Sequence, residues 1–355
     1  MKSTIMKKVF SLFLLAFFLM GGPLAARDQT PFEGRWFAPD SPWNVPVGDS
    51  PVMQYSEKAV QAFIASNRSI NMNWNVWTPA VIYADSRTDK KTDVFLSGKF
   101  KVEWTLRDVP VNQNLIDYVY YRIKHNDTDG KVCLYDAAKE GFYSFWQIGT
   151  DASRNGITAT TGGFSPLAGP GWSSLKKAFE TSKGFVATPS LGPAAGASFC
   201  GGLIRPHEMK SGHIDHALAI HWPINLVRGW KARRSIMQYP ATGTDGKATD
   251  TEISIPYGAR LQLDPSLTDE KMRGMGFNEA DLVIAHALQT YGGYIVDTTP
   301  GPLVISFENA LGKGKSVYGA TMPWPPAISK HFRFVGPPPE VPLDTAHSVG
   351  TPVPN

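Results

Sequence analysis

Apolar and polar positions alternate with a period of two along many short stretches of this chain. In KFKVEW (99–104), Phe100, Val102 and Trp104 fall on one side and Lys99, Lys101 and Glu103 on the other. That spacing predicts a half-buried strand. MNWNVW (72–77) alternates in the same way. DYVYYRI (117–123), KVCLYD (131–136) and FYSFWQI (142–148) are separated by the turn-forming NDTDG and AAKEG, and together they read as an antiparallel meander. HALAIHW, EISIP, ARLQL, GYIVD and PLVISFE predict later strands.

Helical periodicity is rarer. SEKAVQAFIASN (56–67) spaces Val60, Phe63 and Ile64 on one helical face, and SSLKKAFETSKG starts at a serine and stops at Gly184. In NEADLVIAHALQTYGG, Asn278 is the expected cap, Glu279 and Asp281 suit the first turn, and Gly292 ends the run. Ile284, Leu288 and Tyr291 share a face of that helix. His286 falls opposite, with Leu282 and Gln289, as a surface histidine. Strands dominate. The expected architecture is mainly β, an antiparallel β-sandwich or jelly-roll with a few peripheral helices.

The ends of the chain add a compartment. Lys2, Lys7 and Lys8 precede an apolar run from Val9 to Met20, followed by Gly21, Gly22, Pro23 and Leu24-Ala25-Ala26. This is the layout of a signal peptide over 1–26, and the run is shorter than the about 20 residues that span a bilayer. The expected mature chain is secreted or periplasmic, with no stable membrane insertion. Residues 27–335 read as one β-rich domain, and the proline-rich 336–355 as a disordered tail. A net charge of only +4, with both signs interspersed, argues against a nucleic-acid partner. An oxidising compartment permits a bond between Cys133 and Cys200, although the residues alone do not show that they meet. A monomer without cofactors is expected.

Candidate chemistry concentrates in GGLIRPHEMKSGHIDHALAIHWP (201–223), which holds His207, His213, His216 and His221 with Arg205, Glu208 and Asp215. His216 alternates in phase with Leu218, Ile220 and Trp222. Asp215 and His221 share the other face but lie about 20 Å apart on an extended strand. The histidine spacings match no standard metal arrangement, so no metal is expected. Acid–base chemistry fits better. Arg205 could hold a carboxylate while His216 acts as base or acid, a set suited to β-elimination from a uronic acid sugar. Glu208 paired with Asp297 or Glu308 would suit glycoside hydrolysis instead; Glu308 shares the polar side of its strand with Ser306. A third reading needs no catalysis: an Arg205–Glu208 pair that closes the turn. Of the aromatic residues, Trp43, Trp172 and Tyr291 are the expected substrate-binding rings, with Trp74, Trp77 and Trp146 as further stacking surface. The alternative is that these rings fill the β core.

Three stretches taken together resemble a known group. GLIRPHEMKSGHIDHALAI resembles a G-L-[IV]-R-x-x-E-x-x-x-G-x-I-x-H-A-L pattern, ALQTYGGYIVDTT resembles A-L-x-x-Y-G-x-[IV]-[VA]-x-D, and SPWNVPV with the DGKVCLYD…FYSFWQ meander completes the set. The chain is similar over most of 40–310 to a family of exported, β-rich bacterial proteins with relatives in fungi. The resemblance implies export and a β-rich domain, and it points to Arg205, Glu208, His216, Tyr291 and Asp297. The expected function is that of an exported carbohydrate-active enzyme, a polysaccharide lyase or glycoside hydrolase. Glu208, His216 and Asp297 would be catalytic, with Arg205 holding a polysaccharide or other glycan. The alternative is a non-catalytic glycan-binding or structural protein of the cell envelope.

Overall fold

The computed structural model describes residues 33–97, 104–151, 156–173, 191–232 and 236–336. The proposed leader, the proline-rich tail beyond residue 336, the helix predicted after Ser173 and most of the strand predicted over 99–104 lie outside them.

Three sheets make up most of the described structure. The largest, sheet A, has six strands in the order β1 (Ile70–Asn73), β13 (Leu303–Ser306), β10 (Leu218–Pro223), β12 (Gly293–Thr299), β11 (Arg260–Leu263), β14 (Phe332–Val335). Sheet B runs β2 (Ala80–Ala84), β5 (Val132–Asp136), β6 (Gly141–Trp146), β9 (Thr161–Pro166). Sheet C runs β4 (Trp104–Val111), β3 (Lys90–Leu96), β8 (Gly156–Ala159), β7 (Gly149–Asp151). The expectation of a mainly β chain with few helices holds. The expectation of antiparallel sheets does not. β1 pairs parallel with β13, β10 with β12, β2 with β5, and β3 with β8.

One misread element accounts for part of that error. DYVYYRI is not a strand but most of the helix Gln113–Lys124. Asn112 caps it by accepting from the Leu115 backbone at 3.2 Å. The helix buries Leu115, Tyr118 and Val119, positions three and four apart that share one helical face. Its aromatic and β-branched content imitated a strand. With that strand removed, the meander reduces to the antiparallel hairpin of β5 and β6, and β5 pairs parallel with β2 across a long crossover. EISIP also forms no strand, only a bridge from Ile255 to Val227.

Sheet B has a core on each face. Along β5, Val132 and Leu134 join one apolar cluster with Val94, Val109 and Ile157 of sheet C. Cys133, between them, belongs to the cluster built on sheet A, as the period of two requires. Cys133 is bonded to Cys200 with Cα atoms 5.3 Å apart. The bridge ties sheet B to the loop that enters the histidine-rich stretch. On sheet A, Trp222 packs on Phe63 of the helix Ser56–Ala65 and on Phe334, with ring centroids 4.6 and 5.3 Å apart. The helix Glu279–Thr290 carries the expected Asn278 cap, which Asp281 makes reciprocal. Among the described residues no helix is long and apolar enough to cross a membrane.

Candidate functional site

After Cys200 the chain passes over Trp43 and β10 through Gly201 and Gly202. A Cβ on Gly201 would strike the Trp43 ring, and one on Gly202, which has φ +70°, would strike the β10 backbone. Glycine is what permits this approach. The loop delivers Arg205 to the start of a short helix, Pro206–Ser211, which ends at Gly212 in the left-handed conformation.

Arg205, Glu208 and His216 do come together there. Glu208 Oε2 accepts from the Arg205 backbone amide at 2.8 Å, and its Oε1 accepts from the Arg205 guanidinium at 2.6 Å. His216 Nε2 lies 3.0 Å from the same Oε1, and His216 Nδ1 lies 2.9 Å from the Ala217 carbonyl. Both ring nitrogens thus face oxygen acceptors. Arg205 also donates to the Gly34 carbonyl and stacks 4.4 Å over Trp36. Burial alone would raise the Glu208 carboxyl, but His216 and Arg205 outweigh it and hold the group down at about 2. All three side chains are buried. The space between this knot and Trp43 admits roughly one water. Closure of the turn by Arg205 and Glu208 is therefore present in full, and Arg205 has no open face for a uronate carboxylate.

Asp297 does not join that knot. β10 and β12 run in register from Leu218–Gly293 to Ile220–Ile295, then shift, so that His221 stands opposite Asp297 and Val296 is the extra residue. A bulge of this kind re-aims a side chain. Here it turns Asp297 to the His221 face of sheet A. His221 Nε2 meets Ser306 Oγ at 3.1 Å, and Glu308 follows two residues later on the same side of its extended segment. Asp297 and His221 thus stand near the carboxyl ends of the parallel pair β10 and β12, while Ser306 and Glu308 continue along the same face toward the amino end of β10. Crevices beside such ends are where open sheets with parallel strands place ligands.

Sheet B supplies the cation. Lys131, just before β5, lies 2.9 Å from Asp129 and 3.5 Å from Asp297 and donates to the Trp77 carbonyl at 3.3 Å. Burial would lower the Lys131 ammonium, but Asp297 and Asp129 raise it overall. Asp245, exposed at the end of a buried stretch, accepts from Tyr257 at 2.5 Å and from the Thr298 hydroxyl at 3.3 Å. The Thr298 amide donates to Asp297 at 2.9 Å, so one residue links the two carboxyls. Desolvation raises both Asp245 and Asp297, and Asp297 raises Asp245 further. Burial likewise pushes Glu308 up to about 7, against the pull of Arg205. It also forces His221 down to about 3, with Lys131 adding to the effect. Burial thus raises all three carboxyls and keeps the imidazole neutral. Asp297 and Glu308 are both half-buried rather than sealed.

The expected substrate rings fare differently. Trp43 and Trp172 are buried and stacked on each other at 5.0 Å, with the Tyr294 edge against both. They belong to the core and offer no face to a sugar. Tyr291 is buried too, capping its helix, with its hydroxyl 3.4 Å from Asp215. Trp77, by contrast, is 49% exposed. His286 is a surface residue as expected, 2.8 Å from Asp269. No group of side chains among the described residues could hold a metal ion.

Sequence reasoning missed Lys131 and Asp245. Nothing local marks Lys131. Asp245 sits in GTDG, whose turn signal gives no hint of its bonds to Tyr257 and Thr298. The bulge at Val296 carries no residue signature either, since valine is ordinary strand material. No protein-family model matches the chain, and comparison with curated proteins and with solved structures finds no match.

Proposed function

We propose that the chain is an exported carbohydrate-active enzyme that cleaves a polysaccharide, and that of the two chemistries considered, hydrolysis fits better than elimination. The observation that carries this reading is the face of sheet A on which Asp297 and Glu308 flank the His221–Ser306 contact. Glu308, holding its proton to about 7, donates it to the glycosidic oxygen as the bond to the sugar breaks. Asp297, made more basic by desolvation, takes a proton from the attacking water, and Asp245 takes part through Thr298. The bond breaks, water is added across it, and each fragment leaves with a hydroxyl. Elimination needs a cation for the substrate carboxylate. Arg205 is committed to Glu208, Gly34 and Trp36, and Lys131 to two aspartates. Export agrees with the leader-like first residues and with the Cys133–Cys200 bond.

The knot of Arg205, Glu208 and His216 is assigned a positioning role, fixing the loop beside Glu308. The test is a panel of neutral and acidic polysaccharides incubated with the full mature chain and with Asp297→Asn. The expected result is release of reducing ends by the wild type, without the ultraviolet absorbance of an unsaturated uronate, and its loss in the variant. An unsaturated product would overturn hydrolysis. Binding without cleavage by either protein would make this a glycan-binding protein.

A further inference from the structure

We infer that Trp77 is the platform on which a sugar ring of the substrate stacks, and that the glycan is one presenting an apolar pyranose face beside the acidic row. This rests on the carbohydrate reading above and deepens it. Trp77 lies in the loop that crosses from β1 of sheet A to β2 of sheet B. Among the described side chains it is the one tryptophan exposed over more than a third of its surface; the other described indoles are buried or half-buried.

Its neighbours tie it to both ends of the candidate site. The Trp77 carbonyl accepts from Lys131, the residue paired with Asp297. The next residue, Thr78, donates to the Phe307 carbonyl, and Asn309 donates to the Thr78 and Pro79 carbonyls. Those bonds hold the loop against the segment that bears Glu308. The backbone of the Trp77 loop therefore links Lys131, the partner of Asp297, to the segment that bears Glu308.

The backbone adds a second reason. Trp77 has φ +57°, a conformation that disfavours a bulky side chain and persists where the surroundings or a function demand it. Glycine would occupy this position with less strain, yet a large ring is held out to solvent. An indole face binds sugar C–H groups through apolar contact, while its N–H remains available to a hydroxyl.

Trp77→Gly separates the ring from the fold, because it relieves the backbone while removing the platform. The assay is migration of the wild type, Asp297→Asn, Trp77→Gly, Trp77→Phe and Tyr120→Ala through gels containing a mixed-linkage β-glucan, a xylan, a glucomannan or a polygalacturonate. Tyr120 is an exposed ring on the outer side of the helix Gln113–Lys124 and serves as control. At least one neutral polymer should retard the wild type and Asp297→Asn alike. Trp77→Gly should bind it about tenfold to hundredfold more weakly, with melting no lower than wild type. Trp77→Phe should keep most of the retardation and Tyr120→Ala all of it. Equal retardation of Trp77→Gly and wild type would overturn this inference and leave the enzyme reading standing. Retardation or cleavage by no polymer at all would overturn both.

Discussion

Two polar regions of this molecule are built from the same residue types and behave in opposite ways. In the Arg205–Glu208–His216 knot, the carboxylate accepts from a guanidinium, an imidazole and a backbone amide. Both nitrogens of the imidazole face acceptors. In the second region burial raises Asp245, Asp297 and Glu308 above their ordinary values, Asp297 and Glu308 are half-buried, and Asp297 stands opposite a neutral histidine. A buried polar group with every bond made is inert and rigid. A partly desolvated carboxyl that reaches solvent is poised for proton transfer. A histidine, an arginine and a glutamate gathered in space are thus weak evidence of catalysis until their remaining valences are counted.

The largest effect that would sharpen this contrast is on rate. Asp297→Asn should lower turnover about 10²–10⁴-fold, the usual contribution of a positioned acid or base, while melting stays close to wild type. A collapse of melting instead would make Asp297 a structural partner of Lys131.

Next in size is the covalent tie between the sheets. The bridge closes a separation of 67 residues, which corresponds to about 4 kcal/mol in the chain-entropy account. Replacing Cys133 and Cys200 by serine together should lower melting by several degrees, with the acidic row retaining its pH profile. Melting of the reduced and oxidised wild type checks the same point.

A smaller effect concerns pH. His221 in the folded chain protonates only near 3, whereas its ordinary value is 6.5. The unfolded chain therefore takes up a proton that the native chain refuses as pH falls below 6.5. Stability from this source is complete above 6.5 and declines as pH drops toward 3. Urea unfolding of His221→Gln should show a shallower decline over that window. An unchanged slope would show that the imidazole is not desolvated. Smallest of all, His286→Ala removes only an exposed pair with Asp269, and its effect on stability should stay below about 1 kcal/mol.

How far this contrast was readable from residues depends on the element. The capped helix at Asn278, the strands at HALAIHW, GYIVD and PLVISFE, and the approach of Arg205 to Glu208 were all legible, because each is encoded by spacing within a few residues. The helix at Gln113–Lys124 was not legible, since Tyr118, Val119 and Tyr121 favour a strand by type while their burial follows a helical period. The parallel pairings were hidden because strand direction is set by crossovers rather than by local pattern. Trp43 and Trp172 were misassigned because an aromatic residue reads alike in a core and on a platform. The separation of Asp297 from Glu208 was beyond reach, since the register shift at Val296 is fixed by long-range pairing.

The account's central claim is tested most directly by measuring turnover and melting together for Glu208→Gln and Glu308→Gln. Glu208→Gln leaves Arg205 and His216 facing an uncharged amide in a buried site, and it should cost about 3 kcal/mol of stability while the folded fraction keeps much of its turnover. Glu308→Gln should melt near wild type below pH 4.5, gain on it as pH rises from 4.5 to about 7, where the unfolded glutamate ionises and the native one does not, and keep that gain above 7. Its turnover should be abolished. The reverse pattern, with inactivity and unchanged melting in Glu208→Gln and full activity in Glu308→Gln, would contradict the assignment and return catalysis to the knot.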